Sequence, residues 1–137
     1  MNNPQREGSY VYYVDENNLF HRYDGPAVIY DNGSVHYYKH GDLHREDGPA
    51  VILDSGRQEW YRDGKLHRED GPAIVTKELQ KWYRNGMLHN VNGPAVVFDY
   101  GRQEYWKNNV MHRDYDDGPA VIDPLGNEYW VEGRKVG

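Results

Sequence analysis

Five histidines, His21, His44, His67, His89 and His112, stand 23, 23, 22 and 23 residues apart. Each precedes a polar stretch that ends in Gly-Pro-Ala, as in Leu43-His44-Arg45-Glu46-Asp47-Gly48-Pro49-Ala50. Imidazoles beside carboxylates are the raw material of metal sites and of general acid–base catalysis. A shared zinc would need all its ligands within about 2.0–2.3 Å. Equivalent positions in successive hairpins lie two strands apart, roughly 10 Å at about 4.8 Å per strand. The periodic histidines are therefore expected to bond backbone groups in the loops, with no metal and no other cofactor.

The carboxylates fare no better as catalysts. Asp24, Asp47, Asp70 and Asp117 precede the Gly-Pro step, and Asn92 takes that place once. Asparagine cannot act as an acid or a base, whereas both residues accept hydrogen bonds from nearby turn amides. Arg22, Arg45, Arg68 and Arg113 flank them, and exposed pairs of this kind contribute only about 0–1 kcal/mol. Nucleophiles are scarce: Ser9, Ser34, Ser55, Thr76 and no cysteine. The glycines follow turn spacing and form neither a P-loop nor a dinucleotide fingerprint. No enzyme is expected.

A chain of 137 residues ordinarily forms one domain. Its hydrophobic content of 37% is low for a large central core, yet aromatics reach 14%, against the usual composition of disorder. A thin ordered array satisfies both facts. The net charge of -6 opposes nucleic-acid binding, which needs a basic face. No segment has the length and apolarity of a membrane span, and the N-terminus lacks a signal peptide's apolar stretch. The expectation is a soluble, cytoplasmic protein with no nucleic-acid or membrane partner.

The elements that position these residues repeat with them. Residues 1–9 match no part of the repeat and are expected to form a flexible leader. A half-repeat covers 10–20, and repeats cover 21–43, 44–66, 67–88, 89–111 and 112–137. Within one repeat, Ala50-Val51-Ile52-Leu53 is β-prone, Asp54-Ser55-Gly56 signals a turn, and Gln58-Glu59-Trp60-Tyr61 is β-prone again, closed by Asp63-Gly64. Each repeat therefore reads as one hairpin. The fold expected is all-β, an array of hairpins forming an elongated twisted sheet whose open edges invite self-association.

Trp106 to His112 reads Trp-x-x-x-x-x-His with Asn109 at the glycine place, while Tyr61, Gly64 and His67 keep the aromatic-x-x-Gly-x-x-His spacing. With the Asp54 and Gly56 turn, this pattern resembles the MORN repeat over roughly residues 12–133. The chain departs from the family where Arg-Glu-Asp-Gly-Pro-Ala replaces Gly-x-Gly, and where Arg57 and Arg102 replace an earlier tyrosine. Repeats of this variant type occur in phage and viral proteins. By analogy the resemblance implies a protein that binds and blocks a host defence protein.

The aromatics form two series. One runs Tyr37, Trp60, Trp82, Tyr105, Tyr129, and the next residue gives Tyr38, Tyr61, Tyr83, Trp106, Trp130. Adjacent strand residues face opposite sides, so the two series should line both faces. Any ring left exposed would be a contact surface, and Tyr and Trp are the usual interface anchors. A non-catalytic protein-binding module follows, with Trp60, Tyr61, Trp82, Tyr83, Tyr105 and Trp106 as partner-binding residues. An oligomer sequestering a small ligand such as a nucleotide between rings and arginines is the alternative. A lipid-associated MORN-type scaffold is a third reading. Units three to five break the pattern at Thr76–Leu79, at Asn90-Val91-Asn92 with Asn108-Asn109, and by an insertion at 113–117; these breaks serve a partner or reflect drift.

Overall fold

The computed structural model describes residues 3–137. It is built of short strands and one 3-10 turn, an all-β repeat of hairpins. The chain divides into two compact units, the first ending at Leu66 and the second beginning at His67, on a boundary between repeats.

In the first unit an antiparallel ladder runs through Gln5–Glu7, Tyr10–Tyr12, Val28–Tyr30, Val35–His36, Val51–Ile52 and Gln58–Glu59. In the second it runs through Ile74–Val75, Leu79–Lys81, Val96–Phe98, Gln103–Glu104 and Val121–Ile122. The flexible leader expected over 1–9 is corrected by the first pairing. Gln5 stands opposite Tyr12 and Glu7 opposite Tyr10, so this segment is the edge strand of the ladder. Its exposed Gln-Arg-Glu sequence supplies the charge with which edges resist further pairing. Residues 1 and 2 lie outside the described residues.

One hairpin per repeat is also corrected. After Gln58–Glu59 the ladder stops at Trp60, and Tyr61–Arg62 folds back on Lys65–Leu66 in a separate two-stranded hairpin. The same satellite recurs as Tyr38–Lys39 with Asp42–Leu43, Tyr83–Arg84 with Met87–Leu88, Trp106–Lys107 with Val110–Met111, and Tyr129–Val131 with Arg134–Val136. Its tip explains the Asp-Gly and Asn-Gly pairs. Asp63 and Gly64 have φ of 50° and 79°, and Asn85 and Gly86 of 50° and 83°. Two consecutive positive-φ residues make the tight turn that matches the twist of a hairpin.

The core is small and periodic. Ala27, Ala50, Ala73, Ala95 and Ala120 are each 0% exposed, and each is followed by a buried Val or Ile. Neighbouring strand residues point to opposite faces, so burial of both Ala50 and Val51 means that the ladder is covered on both sides there. Alanine permits close approach, and its backbone carries the stacking bonds: Ala50 N–H donates to Glu59 O at 2.8 Å, while Tyr37 N–H donates to Ala50 O at 2.6 Å.

Candidate functional site

The conspicuous charged phrase is a structural clip. Arg45 Nη1 donates to Pro49 O at 3.1 Å, and its guanidinium carbon lies 4.0 Å from the centre of the Tyr37 ring. Arg22 does the same to Pro26 O and Tyr13, and Arg113 to Pro119 O and Tyr105. A ring face attracts a cation, so each arginine bonds its own loop to the aromatic of the preceding repeat. The phrase's glycine leaves room for it. A methyl group on Gly48 would stand 3.0 Å from Arg45 Cζ, tighter than ordinary contact.

The histidines form a second clip. The backbone N–H of Asp63 donates to His44 Nδ1 at 3.0 Å, and that of Asn85 to His67 Nδ1 at 2.9 Å. His40, Asn108 and Glu132 donate likewise to His21, His89 and His112. Every donor is the first positive-φ residue of a satellite turn. An Nδ1 that accepts leaves the hydrogen of the neutral ring on Nε2. That hydrogen is donated to Glu46 by His44, to Glu69 by His67 and to Asp114 by His112, at 2.6, 2.5 and 3.0 Å. At His21 the Tyr23 ring stands edge-on instead, 4.8 Å between centres. Among the described residues no group of three His, Asp or Glu gathers as metal ligands would.

The six residues chosen from the sequence are all half-buried. Because the strand breaks between the two series, they do not occupy opposite faces of one continuous strand. In the first series Tyr37 lies under Arg45 and Tyr105 under Arg113. In the second, Tyr61, Trp106 and Trp130 are held at their polar ends. Tyr61 hydroxyl donates to Glu59 at 3.0 Å, and Trp106 Nε1 to Glu104 at 2.9 Å. Burial first, then the Glu59 charge, pushes the Tyr61 hydroxyl up to about 12.

Two grooves of similar size open between successive loops. One, of about 600 Å³ in the first unit, is lined by Tyr23, Tyr37, Tyr38, Lys39, His44 and Glu46 among others. The other, of about 590 Å³ in the second unit, is lined by His89, Val91, Tyr105, Trp106, Lys107 and Asp114 among others. Tyr105 and Trp106 are thus brought together on a concave surface. Trp60, Tyr61, Trp82 and Tyr83 line neither groove.

Of the most exposed apolar groups in these loops, sequence reasoning passed over Tyr23 and marked Val91 only as part of the irregular Asn90-Val91-Asn92 stretch. Tyr23 is 91% exposed and Val91 68%. Both occupy the place held by Glu46, Glu69 and Asp114 elsewhere, so aligning the repeats column by column singles them out. Two of the irregularities have internal explanations. The insertion at 113–117 lays Tyr115 against Tyr129, ring centres 4.7 Å apart. Asn109 adopts the positive φ of the glycine it replaces, and its side chain accepts from Leu88 N–H at 2.7 Å.

No protein-family model matches this chain, and no curated protein is significantly similar to it.

Proposed function

We propose that the chain is a non-catalytic, protein-binding array of MORN-like hairpin repeats, engaging its partner through the grooves between loops. The observation that carries this reading is the placement of Tyr23 and Val91. Each puts a solvent-exposed apolar side chain on a groove wall where the regular repeats have a carboxylate. Exposed apolar groups beside aromatic floors are typical of protein contact surfaces. Tyr105 and Trp106 line the second groove, and Tyr37 and Tyr38 the first. Blocking a host protein is one role such a module would serve.

Sequestration of a nucleotide has less support, because the arginines lining the grooves, Arg22, Arg45 and Arg113, are spent on Pro carbonyls and ring faces. The test is affinity recovery from the native cell with the wild type and with Y23S, V91S and W106S variants. Loss of a partner at unchanged melting temperature is expected. Undiminished recovery by the triple variant would refute the groove reading.

A further inference from the structure

Among the periodic histidines, His89 differs at its outer nitrogen. In three sister loops Nε2 donates to a carboxylate two residues on, at 2.5–3.0 Å, and at His21 a tyrosine ring packs against the imidazole. At His89 the residue two on is Val91, and among the described residues no carboxylate contacts the ring. Its Nδ1 is occupied as in the others, accepting from Asn108 N–H at 3.3 Å, so Nε2 carries the hydrogen.

The surroundings have lost anions as well. Asn90-Val91-Asn92 replaces Arg-Glu-Asp, so the loop carries no charge of its own. Arg84 and Lys107 are exposed and make no ion pair among the described residues. After burial, these two cations are the next cause holding the His89 pKa below its ordinary value. Across the groove stand Arg113, Asp114 and Asp117. Asp114 accepts from His112, and Arg113 covers Tyr105. Equivalent loop positions lie roughly 10 Å apart, about a Debye length at 0.1 M salt. The acids of the far wall therefore oppose an anion at His89 only weakly.

We infer that the groove of the second unit is a receptor for a carboxylate carried on an apolar peptide segment, such as a partner's glutamate beside an aromatic residue. The carboxylate accepts from His89 Nε2–H in the position that Glu46 occupies on His44, with Arg84 and Lys107 as countercharges. The neighbouring apolar side chain rests on Val91 and Trp106. The array itself shows that the position takes a carboxylate, since it fills three equivalent positions from within. This inference rests on the protein-binding reading and names the partner's chemistry at one groove.

The test titrates the full chain with a short capped peptide carrying one glutamate beside one phenylalanine, and with its glutamine counterpart. Imidazole proton resonances of His89 are followed by NMR. Saturable shifts at His89 are expected, at least tenfold tighter for the glutamate peptide and weakened by added salt. V91E, which supplies the carboxylate from within, should reduce binding at least tenfold, and L125S, at an exposed turn that lines neither groove, should not. Equal binding of the two peptides, no saturable shift, or unchanged binding by V91E would overturn the inference. The protein-binding reading is judged separately. If W106S and V91S abolish partner recovery while V91E does not, the groove binds a protein but not through a carboxylate.

Discussion

Substituting the same glycine in two repeats should give opposite results. At Gly48 an alanine methyl would stand 3.0 Å from Arg45 Cζ and 3.1 Å from its Nη1, so the guanidinium must move. Displacement forfeits a cation–π contact of about 0.5–1 kcal/mol. It also weakens the charged hydrogen bond to Pro49 O, about 1.5 kcal/mol at the lower end for such bonds. Replacing glycine stiffens the unfolded chain and returns about 0.4–1 kcal/mol. The net expectation for G48A is a loss of about 1–2 kcal/mol. At Gly93 the corresponding side chain is Asn90, whose Nδ2 is an ordinary 3.6 Å away. Only the chain-stiffening gain remains, so G93A should stabilise by about 0.4–1 kcal/mol. Neither glycine has positive φ, so backbone strain does not confound the comparison. Urea unfolding followed by amide NMR reads each unit separately. Shifts of equal sign and size would refute the clip, as would a G48A penalty that persists in an R45A background.

Other contacts carry further expectations. N90R should lay a guanidinium over Trp82 as Arg45 lies over Tyr37, raising the urea midpoint of the second unit by about 0.5–1 kcal/mol equivalent. His89 is held below its ordinary 6.5 by burial and by Arg84 and Lys107, so the folded state binds fewer protons than the unfolded chain. The second unit should lose stability as pH falls below about 6.5, and V91E should flatten that loss by raising the His89 pKa, both measurable as urea midpoints against pH. Glu128 and Asp123, held below 4.5 and 3.8 chiefly by hydrogen bonds from Trp130 and from the Leu125 amide, add a second loss below those values. Tyr61 should ionise near pH 12, and E59Q should lower that midpoint in an ultraviolet phenolate titration.

The repeat period, the Gly-Pro-Ala phrase and the hairpin turns were legible because they rest on local chemistry. Asp63-Gly64 demands positive φ whatever surrounds it. Pro49 and the β-prone run after it mark a strand without reference to any partner. The structural role of the histidines was legible for the same reason, since strand spacing separates them. The satellite hairpin was not legible: Gln58 to Arg62 reads as one unbroken β-prone run, and only pairing decides that it leaves the ladder at Trp60.

The candidate site divides along the same line. Sequence alone named six aromatics from the two series, of which Tyr105 and Trp106 line the second groove and Trp60, Tyr61, Trp82 and Tyr83 line neither. It could not say that Tyr61 is tied to Glu59, or that Tyr105 lies under Arg113. The sequence by itself determined an all-β array, the period of its loops and the absence of thiol chemistry, all properties of single residues and their spacing. Tertiary structure decided which groups are spent and which are open. The loop arginines Arg22, Arg45 and Arg113 and most of the periodic histidines are spent because loop closure brings a ring, a carbonyl or a carboxylate within bonding distance of each. His89 and Val91 remain open because one repeat lacks the carboxylate that its sisters supply.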